Sequence, residues 1–267
     1  MIPLIDASFL YNFKIQTFNL SNLKELVYDM GIITQLGIVF TINSQEDLND
    51  KNYIGNMKKY FEQIEEKCKN VNNSKDREND EIKFYFIIQI QIEMFEFRDI
   101  QITQIKTLKH QCDMLMVHSY SNMMLEQIIS KKAAHMIVNV FSQKIVNRYD
   151  FIHHFNSGIN HVLCSDMSQN SMFLGVEISE FNTVSSLKQS KYFSSCIQNS
   201  KLATKAKVPH IVFKLINSRE DIRSSREIES IQKSFFKAQP FQILQQKQFI
   251  ENFLTRQRRI KNLDYIE

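Results

Sequence analysis

Residues 156–179, NSGINHVLCSDMSQNSMFLGVEIS, constrain the fold more than any other stretch of the chain. Ser157-Gly158 is turn chemistry. Ile159, Val162, Leu163 and Met167 then recur at i, i+3, i+4 and i+8, the spacing of one helical face. Gln169-Asn170-Ser171 breaks that pattern. Met172 to Ile178 is an apolar run interrupted only by Gly175 and Glu177. A helix feeding an almost wholly apolar strand is what a parallel sheet covered by helices needs. The unit reads as core, so neither His161 nor Glu177 is assigned chemistry.

The same alternation runs through the chain. Strands are predicted at Ile2–Ala7, Gln35–Ile42, Lys83–Met94, Cys112–Val117, His135–Phe141, Met172–Ile178 and Pro209–Ile216. Helices are predicted at Leu20–Met30, 53–68, Ile100–His110, Asn122–Lys131 and Lys191–Lys205. The capping box Ser224-x-x-Glu227 opens another, with Ile228, Ile231 and Phe235 inward. Pro240 precedes a last, basic helix near 242–262 that carries Phe249, Ile250, Phe253 and Leu254. The polar stretch 65–82, EEKCKNVNNSKDRENDEI, reads as a surface loop. Seven strands, each followed by helical sequence and with no domain-scale linker, imply one α/β domain over 1–267. The expected architecture is an irregular TIM-like (β/α) barrel with about seven parallel strands and surrounding helices.

Composition narrows the chemistry. A hydrophobic fraction of 43% supports a full core. Only 5 glycines occur in 267 residues, few for a glycine-rich phosphate loop. No GxGxxG, P-loop, GxSxG, HExxH or EF-hand pattern is present. Cys68, Cys112, Cys164 and Cys196 are far apart with no CxxC pair, which speaks against a metal cluster or disulfide framework and fits a reducing compartment. The N-terminus lacks the pattern of a signal peptide, and no run of about 20 apolar residues would span a membrane.

Two acid–base features are given bland readings. Asp6, at the end of the first predicted strand, is read as a structural carboxylate on the barrel rim, because Ala7-Ser8-Phe9 follows it where a metal-dependent phosphoesterase barrel of the PHP type would place histidines. His153, His154 and His161 straddle a turn, and His118 ends a strand with no evident partner. They are read as surface or core histidines. No catalytic residue and no metal ligand is assigned.

Charge is distributed unevenly. Residues 188–267 carry 16 Lys+Arg against 7 Asp+Glu, a net of +9, while residues 1–187 carry 17 against 22, a net of −5. Lys188 and Lys191 follow the sixth predicted strand, Lys214 lies in or at the end of the seventh, and Arg219, Arg223 and Arg226 come next. In a barrel, successive βα segments share one rim, and such a rim suits phosphate contacts. Arg256, Arg258 and Arg259 form a further basic run. These nine residues are the candidate nucleic-acid-binding set, which the resemblance described next assigns to RNA. A polyanion-binding rim and a solvated basic face both fit the charge pattern.

The opening stretch then adds something more specific. SGINHVLCSDMSQNSMFLGVEIS resembles a segment of the 30-kDa protein subunit of ribonuclease P, in which a glycine turn leads into an "INHVLAKLA" helix and a "VAIEFSL" strand. Ile5-Asp6, Met30-Gly31, Cys112-Asp113-Met114-Leu115 and Val208–Ile216 followed by Arg223-Ser224-Ser225-Arg226-Glu227 resemble further family blocks in the same order. Lys214-Leu215-Ile216 departs from the family's Ser-Ser-Gly/Ala. The resemblance implies an irregular TIM-like barrel that is not an enzyme on its own. It implies a subunit that stabilises a catalytic RNA for 5′ maturation of precursor tRNA. The implied partners are that RNA, a small RRM-like subunit and other ribonuclease P or MRP proteins, with no membrane. Mg²⁺ is expected on the RNA and no cofactor on the protein. The implied location is the nucleus and nucleolus, or the cytoplasm in an archaeon. The alternatives are a PHP-type phosphoesterase using Asp6 and histidines, and a protein-interaction scaffold.

Overall fold

A computed structural model describes residues 10–13, 35–72, 83–91, 99–118, 121–140, 157–178, 186–216, 225–236, 238 and 240–264. The strands are β1 (Leu10–Phe13), β2 (Gln35–Ile42), β3 (Lys83–Ile90), β4 (Met114–His118), β5 (Met136–Val138), β6 (Phe173–Glu177), β7 (His210–Phe213) and β8 (Leu215–Ile216). The helices are α1 (Gln45–Asn49), α2 (Lys51–Asn72), α3 (Asp99–Gln111), α4 (Asn122–Ser130), α5 (His161–Gln169), α6 (Ser186–Lys205), α7 (Ser225–Phe235) and α8 (Pro240–Asp264). All the strand pairs are parallel, in the order β7-β6-β5-β4-β3-β2-β1-β8.

The fold is α/β and TIM-like, a curved parallel sheet wrapped by helices, but not a regular closed seven-stranded barrel. The strand expected over Pro209–Ile216 splits at Lys214. Its first half pairs with β6, and its two-residue second half pairs with β1. β5 is also shorter than the expected His135–Phe141, because Asn139 takes φ 50° and turns the chain out of the ladder.

Period-2 alternation divides the core into two layers. On β3, Phe84, Phe86, Ile88 and Ile90 face the helices and meet Met57 and Phe61 of α2 and Ile105 of α3. Tyr85 and Ile87 face the other way and join Met114, Met136, Phe173 and Phe213 inside the sheet. That interior is tightly filled. A Cβ on Gly175 would lie 2.7 Å from Met136 Sδ and 3.1 Å from side-chain carbons of Val138 and Phe213. Glycine is therefore the residue that fits there. A third, smaller cluster packs Val176 and Val212 under Tyr192 of α6 and Ile228 of α7.

Several local expectations shift. Ile2–Ala7, with Asp6, and Leu20–Met30 lie outside the described residues, and the first described strand is β1. Helix α2 runs to Asn72, so residues 65–72 of the polar stretch are helical. No proline or glycine interrupts them. In the opening stretch, Gly158 takes φ 92°, and the Asn160 side chain accepts from Leu163 N at 2.8 Å, starting α5 at His161, two residues after the apolar spacing begins at Ile159. Ile159, Leu163 and Met167 are buried, but Val162 is 51% exposed, and Cys164 takes the inward place beside Leu163. Ile228 is buried and Ile231 partly so; Ser224 and the Phe235 side chain lie outside the described set.

Candidate nucleic-acid interface

The two ends of the sheet are built differently. At the N-terminal ends of the strands, α8 lies across the opening. Ile250 and Leu254 enter the inner core beside Tyr85 and Phe173. Phe249 and Phe253 meet Phe173 edge-on at 5.4 and 5.0 Å, and Phe253 meets His135 at 5.1 Å. His135 in turn accepts from Leu115 N at 2.9 Å. Arg258 donates to Phe84 O at the start of β3 and pairs with Glu65 of α2. The helix thus bridges β7, β6, β5 and β3.

His210, at the start of β7, accepts from Gln246 Nε2 at 3.1 Å. Burial holds its imidazole well below the ordinary range, at about 4, against a weaker opposing backbone hydrogen bond at Val208. The unfolded chain protonates this residue near pH 6.5 and the folded chain near 4. Its contribution is complete above the unfolded value and is lost as pH falls. Stability should drop by about 3 kcal/mol between pH 7 and pH 4 from this one group. Urea unfolding across that range measures it, and His210→Asn should remove this part of the pH dependence.

At the C-terminal ends of the strands the interior turns polar. Gln89 donates to His118 Nε2, and Gln91 approaches the same nitrogen at 3.4 Å. The partner that the sequence did not supply for His118 is therefore the Gln89/Gln91 pair. The signal was present in KFYFIIQIQIEM, where glutamines occupy the face opposite Ile88 and Ile90. Glu177 N donates to Asn139 Oδ1 at 2.8 Å, and Leu215 N donates to Glu177 Oε1 at 3.4 Å. These bonds tie β3 to β4 and β6 to both the β5 end and β8. They are structural links between strands. Among the described residues no three His, Cys, Asp or Glu side chains are grouped to hold a metal ion. Asp6, His153 and His154 lie outside that set, and His161 is exposed on α5.

The nine candidate cations do not share one surface. Lys188 and Lys191 lie near the start of α6, and Arg226 is exposed near the start of α7, so these three belong to the C-terminal end of the sheet. Arg219 and Arg223 fall outside the described residues. Lys214 differs from an exposed rim cation: it is only 6% exposed and interacts within the chain. Arg256, Arg258 and Arg259 sit at the opposite end, because α8 folds across the N-terminal opening. Arg256 and Arg259 are exposed there, while Arg258 is committed to Glu65 and Phe84. No described helix is long and apolar enough to cross a membrane.

Comparison with known proteins places this architecture. No family model matches the chain, and no curated protein matches it. An uncharacterised protein of known crystal structure aligns over 50% of this chain and 35% of its own, with 8% identity and a TM-score of 0.32. A cryo-EM structure of archaeal ribonuclease P with mature tRNA contains a chain that aligns over 93% of this one and 90% of its own. The identity is 15% and the TM-score 0.64, so this protein has the fold of a chain of archaeal ribonuclease P.

Proposed function

We propose that this chain is a non-catalytic protein subunit of ribonuclease P, binding and stabilising the catalytic RNA during 5′ maturation of precursor tRNA. The observation that carries this reading is the fold shared over nearly the whole chain with a chain of archaeal ribonuclease P. The resemblance of SGINHVLCSDMSQNSMFLGVEIS and of Arg223–Glu227 to family blocks supports it from the residues themselves. The catalytic RNA carries the Mg²⁺ ions. A small RRM-like subunit and other ribonuclease P proteins are the protein partners, and precursor tRNA is met through the complex. In a eukaryote the same subunit also serves ribonuclease MRP in ribosomal RNA processing, and works in the nucleus and nucleolus.

On this reading Lys188, Lys191 and Arg226 supply phosphate contacts at the C-terminal end of the sheet, and Arg219 and Arg223, which precede Arg226 in sequence, contribute to the same binding set. The purified full chain then binds structured ribonuclease P RNA with a steep salt dependence and has no nuclease activity alone. Arg223→Ala with Arg226→Ala should lower the slope of log K against log salt by about 2 and weaken binding to all sequences alike. An unchanged slope and affinity would move the RNA face elsewhere.

A further inference from the structure

At the N-terminal end of the sheet, the turn after α6 and the outer side of α8 leave a groove of about 600 Å³. Its lining carries four glutamines, Asn252, Lys207 and Phe249, and no Asp or Glu. Phe249 is 45% exposed, yet its ring is held edge-on against Phe173 at 5.4 Å. One side of the ring is anchored and the rest is open. Gln246 spends its amide N–H on His210, while its buried Oε1 accepts no hydrogen bond from a described residue.

The groove continues along the helix. Gln245, Gln248, Phe249, Asn252, Arg256 and Arg259 recur at i, i+3, i+4, i+7, i+11 and i+14, which is one helical face. All six are exposed. Lys201, Lys205 and Lys207 add exposed positive charge at the end of α6 and its turn. An immobilised aromatic ring, several side-chain amides and flanking cations form a set suited to an unpaired nucleotide. The ring offers a stacking surface. Amides pair with base edges that a duplex would hide. Arg and Lys take the phosphates. The lack of carboxylates in the lining, with cations at its edges, favours a polyanion over a basic peptide.

We propose that this groove holds an unpaired nucleotide of an RNA strand, stacked on Phe249, with its base edge on Gln245, Gln248 and Asn252 and its backbone running toward Arg256 and Arg259. The proposal rests on the RNA-binding function above, but it adds a second contact at the opposite end of the sheet from Arg226.

The test uses the full chain and two probes: a fluorescein-labelled single-stranded decaribonucleotide of mixed sequence, and structured ribonuclease P RNA. Phe249→Ala should weaken decamer binding roughly tenfold or more, and Phe249→Tyr should restore it. Gln245→Glu with Gln248→Glu changes only exposed positions, so its fold is not in question. It should weaken the decamer at least about tenfold by placing two carboxylates against the strand. Arg256→Ala with Arg259→Ala should lower the salt slope by about 1.4. A decamer carrying 4-thiouridine should photocrosslink within residues 245–259. Wild-type affinity in both the Phe249→Ala and double-Glu variants, with structured RNA still bound and still sensitive to Arg223 and Arg226, would overturn the groove alone. Failure of the wild-type chain to bind either RNA would overturn the parent function with it. Crosslinking confined to other segments would also overturn the groove.

Discussion

Phe173→Ala should destabilise the chain by about 3–5 kcal/mol, measured by urea unfolding. Phe173 is fully buried at the start of β6, inside the sheet. It is the ring on which Phe249 and Phe253 of α8 both rest. Truncation removes apolar burial and two edge-to-face contacts, and the surrounding strands are too fixed by their ladders to close the space. Phe173→Leu keeps most of the volume and should lose markedly less. Equal losses in the two variants would mean that α8 is not held by these rings.

Asp113→Ala should cost about 2–3 kcal/mol. Asp113 precedes β4, is buried, and its Oδ2 accepts from Phe86 N at 2.8 Å, while its own N–H donates to Phe86 O at 2.8 Å. One residue thus grips both polar groups of Phe86 and fixes the register in which Ile87 meets Met114. Alanine leaves the Phe86 N–H without this acceptor, and an unmatched buried donor is costly. Asp113→Asn retains an oxygen acceptor and should recover part of the loss. If both substitutions were neutral in urea unfolding, the Asp113–Phe86 link would not set the β3–β4 register.

Much of the fold was legible because local patterns and burial agree. β2 occupies the same span, Gln35–Ile42, that its β-branched run implies, and it is covered on both faces. β6 lies one residue inside its predicted limits at each end. Strand ends were less legible where one residue overrides the run: Asn139, with positive φ, shortens β5, and Lys214 parts β7 from β8. Side-chain direction failed where the partner is remote. Phe249 fits the apolar pattern of α8 but is left half open, because Phe173 reaches only one side of it.

The candidate site was legible only in part for the same reason. Sequence order places Lys188, Lys191 and Arg226 at one end of the sheet, since a strand's C-terminal end must feed the helix that follows it. Nothing local states that α8 returns across the other end, so Arg256, Arg258 and Arg259 do not join that rim. Arg258 shows the consequence most clearly. Its guanidinium reaches Phe84 O and Glu65, contacts separated by 174 and 193 residues in sequence. The glutamine-rich run from Gln242 to Gln248 was visible in the sequence, but only the groove between α8 and the turn at Lys207 gives those amides a common purpose.

If this chain works on RNA as part of ribonuclease P, that RNA should accompany it out of the cell. Affinity purification of the tagged full-length chain from its native cell, followed by sequencing of the co-purified RNA, tests it most directly. Ribonuclease P RNA should be strongly enriched, and the enrichment should be lost in a high-salt wash of the protein stripped of its partners. Recovery of protein partners with no RNA enriched over a mock purification would contradict it.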